Sequence, residues 1–269
     1  MPDTKKLRNR IRSVNSTLHL THAMELVASS KIRRASERMD ASVNHAEAFQ
    51  TAIDILAGSE ACAQSAWLRV REEGDTLLVV VAGDRGLAGG YNANIFRALR
   101  EYPDAKLIPV GKRACDRFDP NGTRVLAETF APAQARELAD RLCRAFTSGE
   151  CRRAGILYTT YVSMMSQVPK LRWLLPLTKP EKSQNASGMI FEPSAGSILE
   201  TAIPAYVAGE IMACVRESFA CEVASRRNAM DSAGKNARAM IDDLQLQYNR
   251  ARQGAITQEI TEIVAGGNA

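Results

Sequence analysis

Toward the end of the chain, apolar residues at Ala237, Met240/Ile241, Leu244, Tyr248, Ala251, Ala255/Ile256, Ile260 and Ile263 recur at alternating gaps of three and four. That is the stripe a helix needs to bury one face. No proline interrupts Tyr206 to Val264, so the spacing predicts one helix over 205–266. At ~1.5 Å per residue such a run would reach roughly 90 Å, too long for a helix inside one domain. It needs a partner. A second stripe, Leu7, Ile11, Val14, Leu18, Met24, Ala28, Ile32, Ala35, Met39, Val43, Ala46, Ile53 and Leu56, occupies a stretch without proline from Asp3 to Leu56 and predicts a helix over 1–58. The two terminal helices are expected to pair as one long antiparallel coiled coil.

After Gly74 the period changes. Thr76–Ala82 is a short β-branched, apolar run followed at once by glycines, the pattern of a buried parallel strand and its turn. Lys106–Val110, Gly155–Val162 and Leu171–Leu177 read as further strands, and 92–102, 112–118 and 132–146 as helices. Nine of the ten prolines fall between Pro103 and Pro204, which confines long helices to the ends of the chain. Strands alternating with helices predict an α/β head over 75–200. Residues 178–197, rich in Pro, Ser and Gly, read as a polar connector.

The glycine loop Gly83–Gly90 is where an enzyme reading would begin, because a strand–loop–helix turn can hold phosphate on backbone N–H groups. Its spacing matches neither GxGxxG nor GxxxxGK[ST], and no lysine follows it. The glycines are therefore read as serving a tight turn and close packing. The three histidines, His19, His22 and His45, all lie outside the head, which leaves it without the usual general base. His19 and His22 are three apart but lack a third metal ligand in reach.

Six cysteines show no CxxC pair, so neither a metal site nor a disulfide is assigned. Cys214 and Cys221, seven apart, are expected as small apolar residues in the coiled-coil seam. No run approaches the ~20 apolar residues of a membrane span, and no apolar stretch follows the basic start as it would in a signal sequence. A net charge of +5, from 35 bases and 30 acids, falls short of a dedicated nucleic-acid binder. The bases cluster at Lys5, Lys6, Arg8, Arg10 and Arg12, and again at Lys31, Arg33, Arg34 and Arg38, which suits an acidic partner or a solvated face.

Three segments, in order along the chain, carry a family resemblance. They are Arg10–Val14 with Leu20–Lys31, then Gly83-Asp-Arg-Gly-Leu-Ala-Gly-Gly-Tyr-Asn92, and then Leu244–Val264. Together they resemble the gamma-subunit family of ATP synthases, the central rotor of the F1 sector. The resemblance implies a Rossmann-like α/β head on a coiled-coil shaft. It also implies a non-catalytic subunit without cofactor, coupling proton translocation to ATP synthesis or hydrolysis. The implied partners are the alpha and beta subunits, the epsilon subunit and the c-ring of the membrane sector. The implied location is peripheral, on the cytoplasmic side of a bacterial plasma membrane, with a mitochondrial matrix form as the alternative. By the same resemblance, Arg252, Gln253, Thr257 and Glu259 would meet loops of the beta subunits, with Met24 and Lys31 lower on the shaft. Phe191 and Glu192 would lie near epsilon and the membrane ring. Arg227, where the family commonly has methionine, and Gly234 depart from the pattern. The competing readings are a plain coiled-coil tether and a nucleotide-binding α/β enzyme with helical extensions. Either would be complete without an alpha/beta hexamer.

Overall fold

The computed structural model describes residues 2–178, 189 and 191–266. Helix α1 spans Pro2–Ala57 and helix α5 spans Ala195–Gly266. Between them lie β1 (Asp75–Val81), α2 (Tyr91–Ala98), β2 (Lys106–Val110), α3 (Lys112–Phe118), α4 (Pro132–Ser148), β3 (Cys151–Tyr161) and β4 (Gln167–Leu175). The contacts divide the chain into two compact units, residues 30–225 and residues 1–29 with 226–269. This division differs from the expected 1–58, 75–200 and 205–266, because the inner parts of both long helices are packed into the head.

In the first unit four strands form a mixed sheet in the order β2-β1-β3-β4. β1 is parallel to both neighbours, and β4 is antiparallel to β3. The two-residue period of a strand divides β1 between two cores. Val79 and Val81 join the large cluster with α4 and α5, whereas Leu78 and Val80 join Ile95, Leu99 and Leu157 on the opposite face. The sheet is thus covered on both sides, as a largely parallel sheet requires.

β3 starts at Cys151 and not at Gly155. Arg152 and Arg153 disguise the strand, yet each donates from Nε to the Thr76 hydroxyl, and the Arg153 guanidinium lies 4.3 Å from the centre of the Trp173 ring. β4 occupies 167–175, four residues ahead of the run that suggested it. As an edge strand it tolerates Pro169 and the polar Gln167 and Lys170.

α5 begins ten residues before the predicted start and runs through Pro204. An internal proline costs a helix ~3 kcal/mol, but Ala195, Leu199, Ile203 and Val207 are buried in the main core, and that packing outweighs the penalty. A window of α5 is long and apolar enough by composition to cross a bilayer, contrary to the expectation above. Most of it is buried inside the protein, and it serves as the core of the head.

Cys214 and Cys221 are likewise not in a coiled-coil seam. Cys214 belongs to the core under the sheet, and Cys221 packs with Ala88 and Tyr91 of the glycine loop. All six cysteines are buried and free.

In the second unit the beginning of α1 pairs with the later part of α5. The Arg227 Nε donates to the Ser29 hydroxyl at 3.0 Å, and a side chain at Gly234 would approach Thr21 and Leu18. These positions fix an antiparallel register, in which Pro2 comes opposite about residue 254. Among the described residues α5 continues past that point to Gly266. Ala237, Ile241 and Leu244 are buried, whereas Ile256, Ile260 and Ile263 of the same stripe are exposed.

Candidate functional site

The glycine loop joins β1 to α2 in the position where related sheets hold phosphate. Here its first three backbone donors are engaged by the chain's own side chains. Glu222 of α5, 1 % exposed, accepts the N–H of Asp84 through Oε2 and that of Arg85 through Oε1, both at 3.1 Å. Asn92 Oδ1 accepts the Gly83 N–H at 2.8 Å. The Glu222 carboxylate thus fills the anion cradle. A β-carbon at Gly83 would lie 2.8 Å from the Glu222 Cδ, which explains glycine at that position.

Each polar residue of the loop has a similar task. The Asp84 carboxylate accepts the N–H groups of Lys112 and Ala127 at 3.0 Å and of Glu128 at 2.8 Å. It thereby ties the loop to the start of α3 and to the segment after it. The Tyr91 hydroxyl meets the Ser218 carbonyl at 2.8 Å and the Ser218 hydroxyl at 2.7 Å. Burial pushes the Tyr91 hydroxyl well above the ordinary phenol range, and the charge of Glu222 adds to the effect. Tyr91 stays a neutral donor. Nearby, Glu217 Oε1 accepts from the Thr160 hydroxyl and the Tyr161 N–H, and the Thr159 N–H reaches the Ser218 hydroxyl. Glu217, Ser218 and Glu222 form a polar seam that clamps α5 to β3 and the loop. The sequence reading missed this seam. Its signal was an acid placed inside the apolar run Ala220-Cys-Glu-Val-Ala224, where a charge persists only if it is hydrogen-bonded.

The tip of the loop faces outward. Leu87 is 63 % exposed and has a φ of 60°, a conformation uncommon for any residue but glycine. Arg85 and Lys31 both pair with Glu128, so Lys31 of α1 is bound within the head.

The remaining residues singled out from sequence are spread along the chain. Arg252, Gln253, Thr257 and Glu259 are all exposed on α5. Among them, the Thr257 hydroxyl donates to the Gln253 carbonyl at 3.0 Å. Met24 is half-buried on the inner stripe of α1. Phe191 packs against the main core, and Glu192 is exposed. Of the polar connector expected over 178–197, Pro180, Ser183, Ser187, Gly188 and Ile190 lie outside the described residues. Lys5, Lys6, Arg8, Arg10 and Arg12 are exposed. His22 lies 3.5 Å from Glu25, and no group of three metal-ligating side chains forms among the described residues.

A family model described as ATP synthase matches residues 3–269. The ATP synthase gamma chain of Ruminococcus albus is 38 % identical, over 98 % of this chain and 97 % of its own length. Among solved structures, a chain of the Euglena gracilis mitochondrial ATP synthase rotor in rotational state 1 aligns with a TM-score of 0.66 and 17 % identity, over 95 % of this chain and 99 % of its own. A chain of the OSCP/F1/c-ring assembly from the same organism, in rotational state 3, gives 0.69 and 17 %, over 100 % and 94 %. One from the central stalk and c-ring of Tetrahymena thermophila gives 0.61 and 22 %, over 80 % and 99 %. At these identities the three structural likenesses are likenesses of fold.

Proposed function

This chain belongs to the gamma-chain family of ATP synthases, and from that membership we propose how it serves as the central rotary shaft of an F-type ATP synthase. It is a non-catalytic subunit whose angle biases the catalytic sites of a surrounding alpha/beta hexamer. An asymmetric helix pair turned inside a threefold ring offers each site a different set of contacts. Only such differential contacts can shift a site's conformational equilibrium, by ~1–3 kcal/mol in typical coupled systems.

The observation that carries the non-catalytic reading is Glu222 in the anion cradle. The glycine loop, placed where related sheets hold phosphate, is closed by a carboxylate of the same chain, and the contact binds α5 to the head. Torque entering the head is then passed to α5 through these hydrogen bonds.

The exposed residues at the end of α5 support the assignment of the upper contact. Ile256, Ile260 and Ile263 continue the buried stripe but are exposed among the described residues, beside the exposed Arg252, Gln253, Thr257 and Glu259. We assign these four polar residues to the beta subunits, with Met24 and Lys31 as lower contacts. Phe191 and Glu192 are assigned to the epsilon subunit and c-ring side. Lys31 can serve a partner only in competition with Glu128. The bacterial relative supports a peripheral place on the cytoplasmic side of a plasma membrane. The test is reconstitution of purified alpha and beta subunits and membrane sector with and without this chain. Proton-coupled ATP synthesis that is equally strong in its absence would overturn the proposal.

A further inference from the structure

Where α1, α4 and α5 converge in the head, small residues, among them Ala135, Ala208 and Gly209, leave an open cavity of about 480 Å³. Phe49 and Met212 form apolar walls. The size falls in the range of small-ligand sites, about 300–1,000 Å³, and so does the chemistry, an apolar lining with a few polar groups.

Its permanently charged groups are of one sign. Arg136 and Arg216 line the cavity, with Ser42 and His45 beside them, and among the described residues no carboxylate does. The half-buried Arg216 donates from Nη1 to the Ser42 hydroxyl at 2.6 Å, a neutral partner. A guanidinium held at the edge of an apolar space gains most from a charge-assisted contact with an anion. Such an anion must also bring apolar bulk to cover Phe49 and Met212.

We propose that this cavity binds an amphiphile with one anionic head and one apolar chain, its head on Arg216 and its chain across Gly209. The site is separate from the glycine loop and from the exposed end of α5, and it does not depend on the rotary function. A free fatty carboxylate and an anionic bilayer lipid share this chemistry.

The test uses the full purified chain and three probes of equal chain length, decanoate, decanol and decyltrimethylammonium, read by titration calorimetry and by the NMR shift of the Met212 methyl. Decanoate is expected to bind and shift Met212, decanol to bind more weakly, and the cation not to bind. Arg216→Gln is expected to weaken decanoate roughly tenfold or more and leave decanol unchanged. Gly209→Leu keeps the fold measurable independently. A β-carbon there would meet His45 and Phe49 only at ordinary contact distances of 3.8–4.0 Å, and leucine favours the helix. It is expected to abolish binding of both decanoate and decanol without lowering Tm. Phosphatidylglycerol vesicles form a further arm, in which capture that Arg216→Gln abolishes would assign the same site to a bilayer lipid. Equal binding of decanoate and the cation, unchanged decanoate affinity in Arg216→Gln, wild-type affinity in Gly209→Leu, or no binding at millimolar decanoate would each overturn the proposal.

Discussion

The carboxylate of Glu222 accepts the backbone N–H of Arg85 at 3.1 Å, joining two residues far apart in sequence through the most glycine-rich turn of the chain. With the equal bond to Asp84, it makes α5 a structural part of the head. Removing the side chain would leave a buried donor at Asp84 and a part-buried one at Arg85 without an acceptor, at ~1–3 kcal/mol for a fully buried unsatisfied group. Glu222→Ala is expected to destabilise the chain by about 2 kcal/mol or more in urea unfolding. Glu222→Gln, which keeps one acceptor oxygen, is expected to cost less. Equal stability of all three proteins would show that the bonds to the loop contribute nothing.

Gly111 is expected to be irreplaceable. Its φ is +90°, and a β-carbon there would lie 1.8 Å from the Ala82 carbonyl oxygen, an overlap that only backbone movement can relieve. Gly111→Ala should therefore cost ~3 kcal/mol or more. Gly254 is the opposite case, a helix position where a β-carbon would meet nothing within 4 Å. Gly254→Ala should be neutral or stabilising by up to ~1 kcal/mol. Denaturation of the two variants side by side checks both signs.

The terminal helices were legible because a buried face must repeat at the helical period, and α1 matches its stripe almost to the residue. The start of α5 was not legible, because Pro204 reads locally as a boundary and only the burial of Leu199 and Ile203 reverses it. The candidate site was half legible. Sequence indicated that the glycine loop lacked a phosphate motif. It did not indicate that Glu222, distant in sequence, supplies the anion, since that depends on how α5 is docked. Asp84 and Asn92 lay within the recognised motif, but their roles as acceptors for backbone N–H groups become visible only in three dimensions.

Cys143 gives a prediction for alkaline pH. Burial, with the nearby Asp140 charge adding to it, pushes its thiol from an ordinary 9.0 up to about 12. A group whose pKa is raised on folding contributes stability in full below the unfolded value and loses it as pH climbs through the folded one. Stability is therefore expected to fall between about pH 9 and 12, and Cys143→Ala is expected to flatten part of that slope. Unfolding midpoints at stepped pH provide the measurement. At pH 8 none of the six thiols should react quickly with an alkylating reagent until the chain unfolds, since all are buried. Rapid native labelling would contradict both the burial and the raised pKa.

The end of α5 allows fold and assembly to be separated. Arg252 and Gln253 are exposed on a helix, so alanine at both positions removes no buried contact and slightly favours the helix. The Gln253 group that bonds Thr257 is its carbonyl, which alanine retains. The double variant should unfold within ~0.5 kcal/mol of the unaltered chain. In the assembled complex the same side chains, if enclosed by beta-subunit loops, would each make charge-assisted or neutral hydrogen bonds out of water. Bonds to charged groups in such settings are worth ~1.5–3 kcal/mol, whereas exposed pairs contribute 0–1 kcal/mol. Arg252→Ala with Gln253→Ala is therefore expected to weaken assembly with the alpha/beta hexamer or reduce ATP turnover by roughly tenfold or more, with no matching loss of stability in the isolated chain. Pairing calorimetry of the isolated chain with turnover of the reconstituted complex distinguishes the cases. A matched loss in both would mean that the side chains support the helix itself. Unchanged assembly and turnover would mean that they face water in the complex, and the proposed contact with the beta subunits would be wrong.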